Sequence, residues 1–401
     1  MVLFYAIFTK FYYFGIWISR FFSSKSSLWL EGRAQIWQQL SSKDIKGCVW
    51  FHCASLGEFE QVNYLIQQLK SSRPETKVLV TFFSPSGYEI RKNYPHADIV
   101  TYLPYENKAD IERFLDIVEP KIVLWVRYEY WYYILKEIHK RNIPLLLLNG
   151  VFRPNINGLY RPLLKKMLSF FNSIFVISES SYTRLKALGF ESEVLYDTRY
   201  DRMNQVKMES FEDEKIQSFI AHHNVIVCGS TWKEDEDIIS EVSKNISNVK
   251  WILAPHNINT KTIEYIKSKF PSAAFYSEEV IRPEANFLII DQIGILSKLY
   301  RYADICYVGG GFGKVVHSTL EPLAYSSPII VGPQIERSED TKELLALDLI
   351  YLVNDSNSLT DTLSRLLTQD DGKTNERKRL FDLRTGSVVK ILDYIKKNID
   401  F

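Results

Sequence analysis

The side chains best suited to chemistry in this chain stand where apolar runs give out. The apolar run 305–308 ends in Gly309, Gly310, Gly311, Phe312, Gly313 and Lys314; Ser318 and Glu321 follow within a few residues. Glycines after a strand let the backbone turn sharply and approach a ligand closely. A helix beginning just beyond offers free N–H groups and partial positive charge to an anion. Glu321, about one turn into that helix, suits a ribose diol better than a phosphate. The run predicts a nucleotide cradle. It is not a Walker loop, because Val315 follows Lys314 where Ser or Thr would stand, and Lys314 replaces the third glycine of a dinucleotide fingerprint.

Other apolar runs end in similar fashion. After 47–52 come Ser55, Gly57 and Glu58, an acid at a helix start that could take a proton from a hydroxyl nucleophile. An acid there also serves simply as a helix-dipole partner. Gly57 is read as allowing a backbone conformation that larger residues resist. Ser84, Ser86 and Gly87 form a small polar loop after 78–83, suited to a polar or phosphorylated group or to an ordinary N-cap. Arg127 and Glu129 follow 122–126, the second acid standing beside aromatics. In the second half Ser230 and Thr231 follow 225–228, and Pro255 and His256 follow 251–254. His256 could donate to a phosphate, although a lone histidine at a strand end is commonly a bystander.

The elements that must position these residues alternate. Apolar runs of strand length separated by helical patterns predict parallel sheets covered on both faces, in two doubly wound, Rossmann-like α/β domains. The expected parts are an N-terminal segment 1–40, a first domain 41–203, a second domain 204–374, and a helix 375–401 crossing back to the first. The polar stretch 204–223 reads as the crossing between halves. Ligands of open α/β sheets bind outside the carboxyl ends of the strands, so a cleft between two facing domains is the expected site.

At 401 residues, two domains of ordinary size fit. A net charge of +1 argues against a dedicated nucleic-acid binder. The four cysteines, Cys48, Cys53, Cys228 and Cys306, have neither zinc spacing nor a disulfide framework, which fits a reducing cytoplasm. The acidic run 234–237 reads as a helix start, and no Asp-x-Asp motif of the kind that holds Mg²⁺ under a nucleotide sugar stands at a strand end, so no metal is expected. The first 22 residues are apolar and aromatic but carry Lys10 and Arg20, with Lys25 close behind. A central charge disfavours a full span, and the composition suits a helix lying on an anionic membrane surface. A helix packed on its own domain is the alternative.

The segments His52–Glu58, Ser84–Gly87, Glu129 with Trp131, Gly229–Thr231, Pro255–His256 and Gly309–Pro322, in this order, resemble the transferases of 3-deoxy-D-manno-octulosonic acid (Kdo). The resemblance runs over nearly the whole chain. It implies a GT-B type glycosyltransferase, associated with the cytoplasmic face of the inner membrane, that transfers Kdo from CMP-Kdo to a lipid A precursor without a metal. By the same resemblance Glu58 is the catalytic base and Glu129 a second acid, with Ser55, Gly57, Ser84, Ser86, Gly87 and Arg127 on the acceptor side. Ser230, Thr231, Pro255, His256, Gly309 to Lys314, Ser318 and Glu321 fall on the donor side. Ser318 stands where the family usually has Asn, Arg127 where many members have an acid, and His256 where Arg is common. Two alternatives fit the same residues: a GT-B enzyme using a UDP-sugar on a lipid acceptor, and a membrane-bound nucleotide-binding protein without catalysis.

Overall fold

The computed structural model describes residues 2–127, 129–152, 160–313 and 315–398. It divides into two compact units, Met1–Asp201 with Arg384–Phe401, and Arg202–Leu383.

The first unit is built on strands β1 (Val49–Cys53), β2 (Val78–Phe82), β3 (Ile99–Tyr102), β4 (Ile122–Val126), β5 (Leu145–Gly150), β6 (Ser173–Val176) and β7 (Glu193–Val194). They form one parallel sheet in the order β3-β2-β1-β4-β5-β6-β7. Every residue of β1, β2 and β4 is buried, as a sheet covered by helices on both faces demands. Two polar residues nevertheless sit inside these apolar strands, His52 in β1 and Thr81 in β2, and they are register partners. The helix Ser387–Asn398 returns to this unit, burying Val388, Ile391 and Ile395 in its core.

The second unit repeats the design with β8 (Asn224–Thr231), β9 (Val249–Pro255), β10 (Ala274–Phe275), β11 (Phe287–Ile289), β12 (Ile305–Val308), β13 (Ile329–Val331) and β14 (Tyr351–Leu352). These pair in the parallel order β10-β11-β9-β8-β12-β13-β14. In both sheets the order reverses beside the first strand, between β1 and β4 and between β8 and β12.

Several expectations change. The stretch 204–223 is mostly helical, lying in helices Arg199–Met208 and Glu214–Ile220. The last helical stretch is two helices, Thr374–Leu383 and Ser387–Asn398, broken where Gly386 takes a φ of 95°. Strand β8 does not stop at Cys228 but runs to Thr231. Ser230 adopts a left-handed φ of 55° where pairing with β9 slips between Gly229 and Thr231. The helix carrying Glu321, Leu320–Leu323, is a single turn, too short to gather the dipole of a long helix.

The N-terminal helix Val2–Ser19 rests on the first unit through Tyr5, Thr9 and Tyr13, four residues apart and so on one face. Tyr5 Oη donates to Glu106 Oε1 at 2.9 Å and accepts the Tyr132 N–H at 3.0 Å, while Tyr13 Oη accepts the Glu106 N–H at 2.9 Å. The opposite face leaves Phe4, Ile7, Phe8, Phe11 and Phe14 exposed. Among the described residues no helix is long and apolar enough to cross a membrane.

The glycines after β12 are demanded by packing. A Cβ on Gly309 would lie 2.5 Å from the Ser230 carbonyl oxygen, and one on Gly311 2.7 Å from Gly332 Cα, so the ends of β8, β12 and β13 meet backbone to backbone. Replacing Gly311 by Ala should therefore destabilise the second unit by about 1–3 kcal/mol, read as a lower urea midpoint. An unchanged midpoint would mean that the Gly332 backbone can withdraw.

Candidate active site

In the first unit the acid after β1 folds back over the start of its own helix, Leu56–Ser72. Glu58 is 6% exposed, and its Oε2 accepts the Ala54 N–H. Two effects compete on this carboxyl. Backbone N–H groups and the Arg127 charge favour the carboxylate; burial, and then the charge of Glu129, oppose it. Burial wins, and the pKa rises to about 7. A helix-dipole partner would be held ionised well below that. Glu58 is instead poised where a general base is most effective.

Glu129 reaches the same region from beyond β4. The chain turns there through Arg127, at a left-handed φ of 68°, and the Trp125 indole N–H donates to the Glu129 carbonyl. Glu129 Oε2 stands 3.4 Å from His52 Nε2. Both acids thus come from the two strands that flank the reversal of the sheet, the place where open α/β sheets bind ligands. Arg127 also lowers the pKa of buried Asp197, after the larger effect of Arg199; Asp197 accepts from Gln61 Nε2 at 2.8 Å and from Arg199 Nη2 at 2.9 Å.

The other residues expected on the acceptor side have simpler places. Ser55 is the N-cap of the Glu58 helix. Gly57 is exposed in that helix's first turn without a positive φ, and a Cβ there would meet nothing within 4 Å. Its expected role as a conformational necessity is therefore corrected: it leaves bare surface beside Glu58. Ser84 caps the helix Pro85–Arg91, accepting the Ser86 N–H, and Gly87 lets that helix lie against Phe82 and the Leu56 N–H.

In the second unit the switch point collects Ser230, Thr231, Pro255, His256 and the glycine turn. Thr231 Oγ1 donates to buried Glu236 Oε1 at 3.1 Å, and its carbonyl accepts the His256 N–H at 2.9 Å. Several glycine-turn N–H groups are already engaged: Gly309 with the Gly229 carbonyl, Gly313 with the Gly310 carbonyl, and Gly310 with Asp235 Oδ2 at 2.7 Å. Asp235, fully buried, also accepts from Tyr307 Oη at 2.7 Å and the Trp232 N–H at 2.9 Å, and so ties the turn to β12 and to its own helix. Phe312 is half-buried, Gly313 and Ser318 are exposed, and Glu321 is half-buried; Lys314 lies outside the described residues.

Beside the turn three rings stack. His256 is 4.6 Å from Trp232 and 4.4 Å from His317, centroid to centroid. Trp232 Nε1 donates to His317 Nε2 at 2.7 Å, and burial followed by the His256 charge pushes the His317 pKa down to about 4. His317 is therefore neutral near pH 7, with its proton on Nδ1. Trp232, Asp235 and His317 were not among the residues expected at the site. Asp235 was hidden in the acidic run 234–237, and His317 was passed over for its neighbour Ser318. In the first unit Thr81 was missed too, and His52, named only at the head of a segment, was given no role, although a polar residue inside an apolar strand is itself a signal.

Residues 29–202 match the family model described as 3-deoxy-D-manno-octulosonic-acid transferase (kdotransferase). The 3-deoxy-D-manno-octulosonic acid transferase of Aquifex aeolicus is 28% identical over 349 residues, covering 84% of this chain and 92% of that protein. A bifunctional glycosyltransferase/methyltransferase of Fusobacterium nucleatum is 26% identical over 374 residues; the match covers 88% of this chain but 58% of that longer protein. Among solved structures, the calicheamicin glycosyltransferase CalG4 aligns with a TM-score of 0.55 and 12% identity over 88% of this chain and 98% of that one. That likeness concerns fold alone, and the fold is of the GT-B type, two Rossmann-like units.

The raised pKa of Glu58 has a consequence for stability. Its carboxyl is harder to ionise in the fold, at about 7, than at its ordinary value of 4.5. The native state therefore holds the proton more tightly, and stability from this group is lost as pH rises between those two values and no further above them. Glu58→Gln removes the effect. Its unfolding free energy relative to wild type should grow by roughly 2–3 kcal/mol from about pH 4.5 to 7.5 in denaturant titrations. A gap independent of pH would mean that Glu58 titrates normally.

Proposed function

We propose that the chain is a glycosyltransferase of the Kdo transferase family and that it transfers Kdo from CMP-Kdo to a lipid A precursor, a lipid-linked glucosamine disaccharide. The observation that carries the mechanism is the buried Glu58, with its pKa near 7, beside Glu129 at the reversal of the first sheet. Glu58 removes the proton of the acceptor hydroxyl as its oxygen attacks the anomeric carbon. The bond from that carbon to the phosphate oxygen breaks, CMP leaves, and the configuration inverts. Glu129 orients the acceptor and keeps Glu58 basic.

The second unit takes the nucleotide. The exposed His256 ring, backed by Trp232 and His317, offers a flat surface and polar edges next to the glycine turn. Ser230 and Thr231 border the same place. No metal enters the proposed mechanism. The aromatic face of Val2–Ser19, with Lys10, Arg20 and Lys25 nearby, supports seating on the anionic cytoplasmic surface of the inner membrane.

Incubated with CMP-Kdo and a tetra-acylated disaccharide precursor, the protein should add Kdo, seen by mass spectrometry as a heavier lipid product. EDTA should leave the rate unchanged. Glu58→Gln should lower turnover about 10²–10⁴-fold while CMP still raises the thermal midpoint. A thermal shift with UMP and none with CMP would favour the UDP-sugar alternative. Replacing Phe8 and Phe11 together by Ser should weaken co-sedimentation with anionic vesicles, and equal binding would contradict the membrane seat.

A further inference from the structure

A chain of buried polar groups runs across the first sheet behind the acid pair. Trp50 and His52 project from the same face of β1, two residues apart, and Thr81 is His52's register partner in β2. On the other side His52 is in register with Trp125 of β4, whose ring lies 4.0 Å from the imidazole. Trp50, His52, Thr81 and Trp125 are all fully buried. Trp50 Nε1 donates to Thr81 Oγ1 at 2.8 Å, and Thr81 Oγ1 lies 2.9 Å from His52 Nδ1. His52 Nε2 in turn faces Glu129 Oε2 at 3.4 Å.

The direction of each proton follows from donor chemistry. An indole N–H can only donate, so the first bond points from Trp50 to Thr81. The buried Thr81 hydroxyl then needs an acceptor for its own proton, and His52 Nδ1 is the one within reach among the described residues. Nδ1 is therefore the unprotonated nitrogen, which leaves the ring proton on Nε2, aimed at Glu129. Burial lowers the His52 pKa; Glu129, beyond β4, and, more weakly, the Thr81 backbone favour a second proton, while the charge of Arg33 in helix Ser24–Ala34 opposes it. The ring stays neutral.

Resting on the transferase reading above, we propose that His52 is a positioning residue for Glu129. Held by Thr81 as the neutral Nε2–H tautomer, it donates to the Glu129 carboxyl and keeps it oriented beside Glu58. At 3.4 Å the bond is long, as such bonds commonly are before substrate binds. Trp50 and Thr81 act at one remove. They fix the tautomer and touch nothing that reacts.

Two readouts test this. Two-bond ¹H–¹⁵N spectra of the full chain near pH 7.5, with His52 assigned by comparison with His52→Gln, should show a neutral ring protonated on Nε2. A ring protonated on Nδ1, or an imidazolium, would overturn the proposal, whether or not the protein transfers Kdo. In the transfer assay Thr81→Val should lower kcat about 10-fold or more with the KM for CMP-Kdo unchanged, and Thr81→Ser, which keeps the hydroxyl, should stay within about 2-fold of wild type. Equal kcat in wild type and Thr81→Val would reduce Thr81 to a packing residue and sink the relay. Absence of transfer by the wild type itself would defeat the functional reading and leave the spectra to decide the tautomer.

Discussion

A parallel sheet whose strand order reverses must send its connections to opposite faces at the reversal, and the loops leaving the two central strands diverge there. Both units of this chain obey that constraint, and their chemistry depends on it. In the first, the reversal between β1 and β4 is where the chain can carry Glu58 on one side and Glu129 on the other. In the second, the reversal between β8 and β12 gathers Thr231, the glycine turn and, from neighbouring β9, His256. The apolar strands that build the sheets and the polar residues at their ends are consequences of one topology.

Electrostatics then sets the buried acids apart from one another. Asp197 meets Arg199 at close range, and its pKa falls despite burial. Glu58 has backbone donors and the Arg127 charge, and burial together with Glu129 outweighs them. Glu106 shows that a raised pKa alone does not make a base: burial also pushes it to about 7, yet its oxygens are taken by Tyr5 and by the Tyr133 and Ile134 N–H groups, where it fastens the N-terminal helix. What sets Glu58 apart is a second carboxyl nearby and the bare surface at Gly57.

Much of the fold was legible because fully buried parallel strands read as continuous apolar runs, and β4 and β12 lie where the sequence predicts them. The two-residue strand Ala274–Phe275 was invisible because a pattern that short has no period. The helices of 199–220 were hidden by their polar composition, since only a few of their residues reach a core. The places of Glu58, Glu129 and the other candidate residues just beyond strand ends were legible from the apolar runs before them. The glycine turn misled in one respect. Its glycines serve close backbone packing, and the Gly310 N–H is given to Asp235, a partnership between residues 75 positions apart that spacing could not reveal. His52 and Thr81 escaped for the same reason, because strand register, not sequence distance, brings them together.

Glu58, tuned by burial beside Glu129, is proposed as the base that activates the acceptor. That role is tested most directly by the pH dependence of kcat/KM for Kdo transfer, which reports the essential base of the free enzyme. Activity should rise with pH through a single limb centred near 7, as the Glu58 carboxyl loses its proton. A kcat/KM that stays flat from about pH 5.5 to 8.5 would contradict it, because a base with an ordinary carboxylate pKa would already be fully active throughout that range.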